Sequence, residues 1–165
     1  MGIPGGGRSV ISMRTQRHFN LITYTDLGTD SIDIMFKTIM RHFLRRFDDN
    51  VKEQTDALVK STQDAYKSIN DQLRPRPATS HYLFNLRDMS KVIQGVVSGH
   101  EKFIVGKEDA VRIWYHENLR VYGDRLISVS DNSVLETILM ESVAGVFKMN
   151  RDMIFESERL IYGDF

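Results

Sequence analysis

Arginine is the side chain in this sequence best suited to acting on an anion. It is permanently charged, and its guanidinium forks onto paired oxygens. Four arginines stand in suggestive places. Arg8 closes a run of three glycines, Gly5, Gly6 and Gly7. Arg14 and Arg17 sit beside His18, just ahead of an apolar stretch. Arg87 falls in the first turn of a predicted helix. An arginine supplied in trans can stabilise the transition state of phosphoryl transfer by orders of magnitude. From spacing alone the plainer reading has the advantage: each is a surface arginine, or is paired with a nearby carboxylate.

Other chemistries lack their residues. His116-Glu117 is followed by Asn118, Leu119 and Arg120, so it does not begin an HExxH motif. The histidines at 18, 42, 81, 100 and 116 are never spaced i, i+4, and no helical metal pair is expected. The chain has 0 cysteines, which excludes disulfides, thiolate metal sites and a cysteine nucleophile. No GxSxG elbow or dinucleotide fingerprint occurs. The glycine run could present backbone N–H groups to an anion, but no Gly-Lys-Ser/Thr follows to make a phosphate loop. It reads equally as a flexible leader. Nothing here could polarise a phosphoanhydride and position a water unaided, so the isolated chain is not expected to be an enzyme.

Composition narrows the partners. Lys plus Arg and Asp plus Glu number 22 each, a formal charge of zero, with no global pull toward nucleic acid or an anionic membrane. No apolar run approaches the roughly 20 residues that span a bilayer, and the first residues lack the apolar core of a signal peptide. With 165 residues, 41% of them hydrophobic, the chain can build one modest core.

The elements that must hold these arginines are mostly helical. Residues 19–24, FNLITY, read as a short buried strand with no partner strand in the sequence. A helix follows, capped by Thr29 or Asp30, with an apolar stripe of Ile32, Met35, Phe36, Ile39, Met40, Phe43 and Phe47. The next, from about Val51 to Leu73, has a thin seam of Val51, Thr55, Leu58, Thr62, Ala65 and Ile69, which suits an antiparallel hairpin. Pro75 and Pro77 stop it, and residues 78–84 are predicted extended. Asn85 then caps a helix with Asp88 completing a capping box. Met89, Val92, Ile93, Val96 and Val97 form its buried face, and Gly99 ends it. A fourth helix covers Glu108 to Ile127, with Glu117, Arg120, Asp124 and Arg125 spaced for ion pairs along it. Asp131 caps a fifth, with Val134, Leu135, Ile138, Leu139, Val143, Val146 and Phe147 as its stripe.

SHYLFNLRDMSKVIQG, at residues 80–95, resembles the part of dynein heavy chains that follows the large subdomain of the third AAA+ module. IPGGGR, MRTQRHFN, WYHENLRVYGDRL and LIYGDF resemble further blocks of that family in the same order, and the details look axonemal. The resemblance implies a mainly α fold of about five helices, a helical AAA+ lid, preceded by a glycine-rich loop and one short strand of an incomplete α/β AAA+ core. Residues 1–29 would be the tail of the large subdomain, and residues 30–165 the lid and the start of a linker to the next module.

The resemblance also implies roles. Arg14 matches the arginine finger that serves a neighbouring module's site, with Arg17 as runner-up. Arg87 matches the sensor-2 residue that faces nucleotide. Gly2 falls where many AAA+ modules carry a polar sensor-1 residue. Ser9, Met13 and Thr15 depart from the family's usual asparagine, proline and aromatic. Both Walker motifs belong upstream and are not in the chain. The whole heavy chain would bind ATP or ADP with Mg and hydrolyse ATP. Its partners would be the neighbouring AAA+ modules, dynein intermediate and light chains, and microtubules. Its place would be the cytoplasm, the cytoskeleton and, if axonemal, the cilium. The competing reading is a free-standing helical interaction module with no nucleotide role, and a weaker one is anion binding by PGGGR alone.

Overall fold

The computed structural model describes residues 9–24, 27–155, 160 and 162. The expected glycine loop, Gly5 to Arg8, lies outside the described residues, as does most of the LIYGDF segment. Five long helices carry the fold, as the sequence predicts: α2 (Thr29–Phe43), α4 (Thr55–Gln72), α5 (Leu86–Val97), α6 (Lys107–Tyr122) and α7 (Val129–Ser142). Three single turns accompany them: α1 (Met13–Gln16), α3 (Asp49–Lys52) and α8 (Arg151–Ile154).

The core sits between α4, α5, α6 and α7, with α5 and α6 the most extensively packed pair. Trp114, Leu58, Met89, Leu135 and Leu139 are fully buried in it. The half-polar seam of α4 is buried along its whole length, threonines included. Their hydroxyls are satisfied by backbone carbonyls three or four residues earlier. Thr55 Oγ1 donates to the Lys52 carbonyl at 2.7 Å, and Thr62 Oγ1 to the Leu58 carbonyl at 2.7 Å. Thr62 also accepts the Trp114 indole N–H at 2.8 Å, which ties α4 to α6 through the middle of the core. A threonine can therefore occupy a seam position without leaving a buried polar atom unpaired.

Gly95 lets α5 and α6 approach closely. A Cβ at this position would meet the Glu117 carboxylate at 1.8 Å. After α7 the chain widens into a π-helical turn, Val143–Phe147, and leaves it through Lys148 at φ 54°, in the left-handed region. Lys107 Nζ donates to the Phe147 carbonyl at 2.6 Å, which satisfies a carbonyl at this helix end.

Several boundaries differ from the sequence expectation. No strand occurs among the described residues. Residues 19–24 run without regular pairing and are exposed, Phe19 at 62% and Tyr24 at 88%. A strand takes its hydrogen bonds from a neighbour, and the described residues offer none. The predicted helix from Val51 is broken at Glu53 and Gln54 into α3 and α4. Gly28, rather than Thr29 or Asp30, occupies the N-cap of α2, and Ser128, rather than Asp131, that of α7. At the start of the expected extended stretch, Pro77–Thr79 forms a 3-10 turn. Proline fixes φ at a helical value, so it can open such a turn as readily as end a helix.

Candidate functional site

The N-terminus of α5 is held as the sequence predicts. The Asn85 side chain accepts the Arg87 backbone N–H at 2.9 Å, and the Asp88 carboxylate accepts the Asn85 N–H at 3.0 Å, a complete capping box. Asp88 is itself buried, 4% exposed. Its charge is met by Arg125 at 3.1 Å and by Lys91 at 3.8 Å. Of the ion pairs expected along α6, Glu117–Arg120 forms. Arg125, by contrast, turns away from its own helix toward α5, because the buried Asp88 is the more demanding partner.

This fixed helix start leaves Arg87 exposed beside a groove of about 660 Å³ between the start of α2, the middle of α4 and the start of α5. Leu27, Ile32, Leu86 and Met89 give the groove an apolar side. Tyr66, Gln63 and Asn85 add polar atoms, and Arg87 and Lys67 add two cations. Among the described residues no carboxylate lines it. Among the described residues the Arg87 guanidinium makes no hydrogen bond or ion pair, so its charge is open to a ligand. Asp33, which feels the charge of Lys67, is already engaged from two sides. Lys37 reaches it at 2.6 Å and Gln63 at 2.5 Å, and the Lys37 contact holds its carboxyl below the usual range. A groove with an apolar side and two cations suits a ligand with a flat apolar body and an anionic tail.

The other sequence candidates are not brought to this groove by any described contact. Arg14 and Arg17 lie on or at the end of α1, which buries no residue. Arg17 Nε donates to His18 Nε2 at 3.3 Å. Ser12 caps this turn, and its hydroxyl lies 3.1 Å from that of Thr15. Sequence reasoning missed Lys67 and Tyr66 as groove residues. Their signal was faint: both stand on the polar flank of a helix whose seam is itself half polar. It also read Arg125 as a local ion-pair former.

Comparison with known proteins agrees with this architecture. A family profile described as the AAA+ lid domain matches residues 58–157. Mouse (Mus musculus) dynein axonemal heavy chain 2 is 37% identical over 100% of this chain and 4% of its own length. Human (Homo sapiens) dynein axonemal heavy chain 1 is 34% identical over 100% of this chain and 4% of its own length. The dynein-1-beta heavy chain of the flagellar inner arm I1 complex, from Chlamydomonas reinhardtii, is 34% identical over 95% of this chain and 4% of its own length. The chain belongs to the AAA+ lid domain family. Within that family it is a lid segment of the dynein heavy-chain kind, and it spans 4% of the length of the relatives it matches.

Proposed function

We propose that this lid closes over a nucleotide held by the large subdomain of its module, and that Arg87 meets the terminal phosphates. The observation that carries the reading is the exposed Arg87 guanidinium, unpaired among the described residues, beside a groove to which those residues bring two cations and no carboxylate. Leu27, Ile32 and Leu86 would receive the base, and Arg87 and Lys67 the phosphates. The nucleotide, ATP or ADP with Mg, supplies the phosphoanhydride. This chain supplies binding, orientation and a charge that responds to the number of phosphates present.

The segment is placed in the third AAA+ module of a dynein heavy chain, with residues 1–29 as the tail of the large subdomain and residues 30–165 as the lid. The packing of α2 against α4 and α5 supports a boundary near residue 29, well before the start of the profile match. Arg14, or failing it Arg17, reaches the nucleotide of the preceding module as an arginine finger. The lid's neighbours are then the adjoining AAA+ modules, and through the whole heavy chain it serves movement along microtubules in the axoneme of a cilium or flagellum, with intermediate and light chains as further partners.

The test is Arg87→Ala in the intact heavy chain. Nucleotide affinity at this module falls about tenfold, the value of one charge-assisted contact, and the motility rate changes with it. Unchanged affinity together with unchanged motility sinks the assignment. A second reading is favoured by the outer face of α2, where Ile34, Met35, Ile39 and Phe43 are exposed. A free-standing module could bind a partner there with no nucleotide involved. An immunoblot against residues 74–95 separates the two. A product far larger than 19.1 kDa supports the motor, and one of that size supports the module.

A further inference from the structure

We infer that Arg125 is a positioning residue for Arg87, and that it links the groove to the α6–α7 junction. The inference rests on the reading that nucleotide meets Arg87. Arg125 lies in the 3-10 turn Gly123–Arg125 that ends α6, yet its side chain is spent on the segment leading into α5. Its Nη1 is 3.1 Å from Asp88 Oδ2. Its Nη2 donates to the carbonyls of His81 and Leu83, each at 3.0 Å. The guanidinium also lies over the Phe84 ring, 4.9 Å from its centroid. In return, His81 Nε2 is 3.0 Å from the Arg125 carbonyl. One guanidinium thus holds three successive points on the path into the helix: His81, Leu83–Phe84 and Asp88.

From Asp88 the constraint reaches Arg87 through the cap. Asp88 holds the Asn85 N–H, and Asn85 holds the Arg87 N–H. A second strut runs parallel to the first. The Tyr82 hydroxyl donates to Asp131 Oδ2 at 3.0 Å and accepts the Ile127 N–H at 3.0 Å. Tyr82 is buried at 3% exposure. Residues 81–88 and 125–131 therefore form one cross-braced block that joins the start of α5 to the start of α7. Asp88 is buried and charged, so a displacement of α5 that left Arg125 behind would strand that charge against Lys91 alone, 3.8 Å away. A movement of Arg87 toward a phosphate is instead carried to the first turn of α7. Lysine cannot replace this arginine. It lacks the planar fork that meets a carboxylate and two carbonyls at once.

The test is amide hydrogen exchange of the intact heavy chain, with and without a non-hydrolysable ATP analogue, in the parent and in Arg125→Lys. In the parent, nucleotide slows exchange in peptides covering residues 81–89 and 125–131 together. In Arg125→Lys, residues 85–89 exchange about tenfold faster without nucleotide, the effect of one lost charge-assisted bond. Nucleotide still slows residues 81–89, while its effect on residues 125–131 disappears. If Arg125→Lys fails to fold, Asp88→Asn gives the same readout, since it removes the charge that Arg125 meets. A nucleotide response at 125–131 that survives the substitution overturns the link. So does a parent that responds at 81–89 but not at 125–131, and that result leaves the role of Arg87 standing. Silence at both segments in the parent overturns the nucleotide reading and the inference with it. Faster exchange throughout α4 and α6 overturns the positioning role in favour of general stability.

Discussion

Glu117 is the side chain at which the balance between burial and charge is sharpest. Burial alone would push its carboxyl up. Hydrogen bonds from His116 at 3.2 Å and Arg120 at 2.9 Å outweigh that and hold it below the ordinary glutamate value of 4.5. A carboxyl lowered in the folded state binds fewer protons there than in the unfolded chain. Its contribution is therefore complete above the ordinary value and is lost as pH falls through the lowered one. Urea unfolding at about pH 6 and about pH 3 will show a smaller acid loss in Glu117→Gln than in the parent. Equal losses would place the acid sensitivity elsewhere, with Asp33 and Asp49 the next candidates, since both are lowered by lysine partners. The same carboxylate sets the outcome at Gly95. Alanine is the better helix former by up to about 1 kcal/mol. Its methyl would nonetheless overlap the Glu117 carboxylate and approach Cγ to 2.6 Å, and Arg120 and His116 hold that side chain in place. Gly95→Ala is expected to destabilise by about 1–3 kcal/mol, as overpacking does. Combining it with Glu117→Ala should return a substantial part of that loss, because the two sites share one space.

Among the helices, α5 shows most clearly what a sequence can and cannot declare. Its cap was legible because a capping box is a local device: Asn85 and Asp88 need only their three-residue spacing. Asn85→Ala is expected to cost about 1 kcal/mol, read as a lower urea midpoint with an unchanged slope. A changed slope would mean that the cap shapes more than the helix start. The apolar stripes of α4, α5 and α7 were legible for a similar reason, since three- and four-residue steps record which face is buried. The contents of α2 are a partial exception. Its stripe reads as continuous, but Phe36 and Met40 are buried while Met35 and Ile39 stay exposed, so period alone did not say how much of the stripe finds a partner. What stayed hidden depends on residues far apart in the chain. Asp131 reads as a cap, yet it takes the hydroxyl of Tyr82, 49 positions away. Arg125 reads as a local pair former, yet it answers a charge buried in another helix. The break at Glu53 and Gln54 had no glycine or proline to announce it. The groove was half legible: Arg87 was visible from its place in the helix, whereas Lys67 and Tyr66 belong to it only through the way α4 crosses α5.

For the molecule as a whole, the question is what residues 19–24 are for. FNLITY has a strand's composition, yet Phe19, Leu21, Ile22 and Tyr24 are exposed and nothing described pairs with them. The turn α1 just before them buries nothing. The helical body from α2 onward, by contrast, has its own core and does not draw on them. Exposed apolar side chains on a β-prone segment are poorly placed in an autonomous domain when, as here, neither their surface nor their backbone finds a partner among the described residues. They are well placed as one strand of a sheet whose other strands come from elsewhere in a longer chain. Two consequences can be measured. Removing residues 1–24 from the 165-residue chain should leave its unfolding midpoint within the range of neutral surface changes, about 0.5 kcal/mol. Amides 19–24 should exchange at nearly the unprotected rate in this chain and become strongly protected in the intact heavy chain, where a sheet would close around them. Protection already present in the 165-residue chain would mean that the segment finds its partners within these residues, and the boundary near residue 29 would fall. Exposure in both settings would remove the sheet from the argument, and with it the placement of Arg14 and Arg17 beside a neighbouring module's nucleotide. That placement depends on a strand that fixes where α1 points.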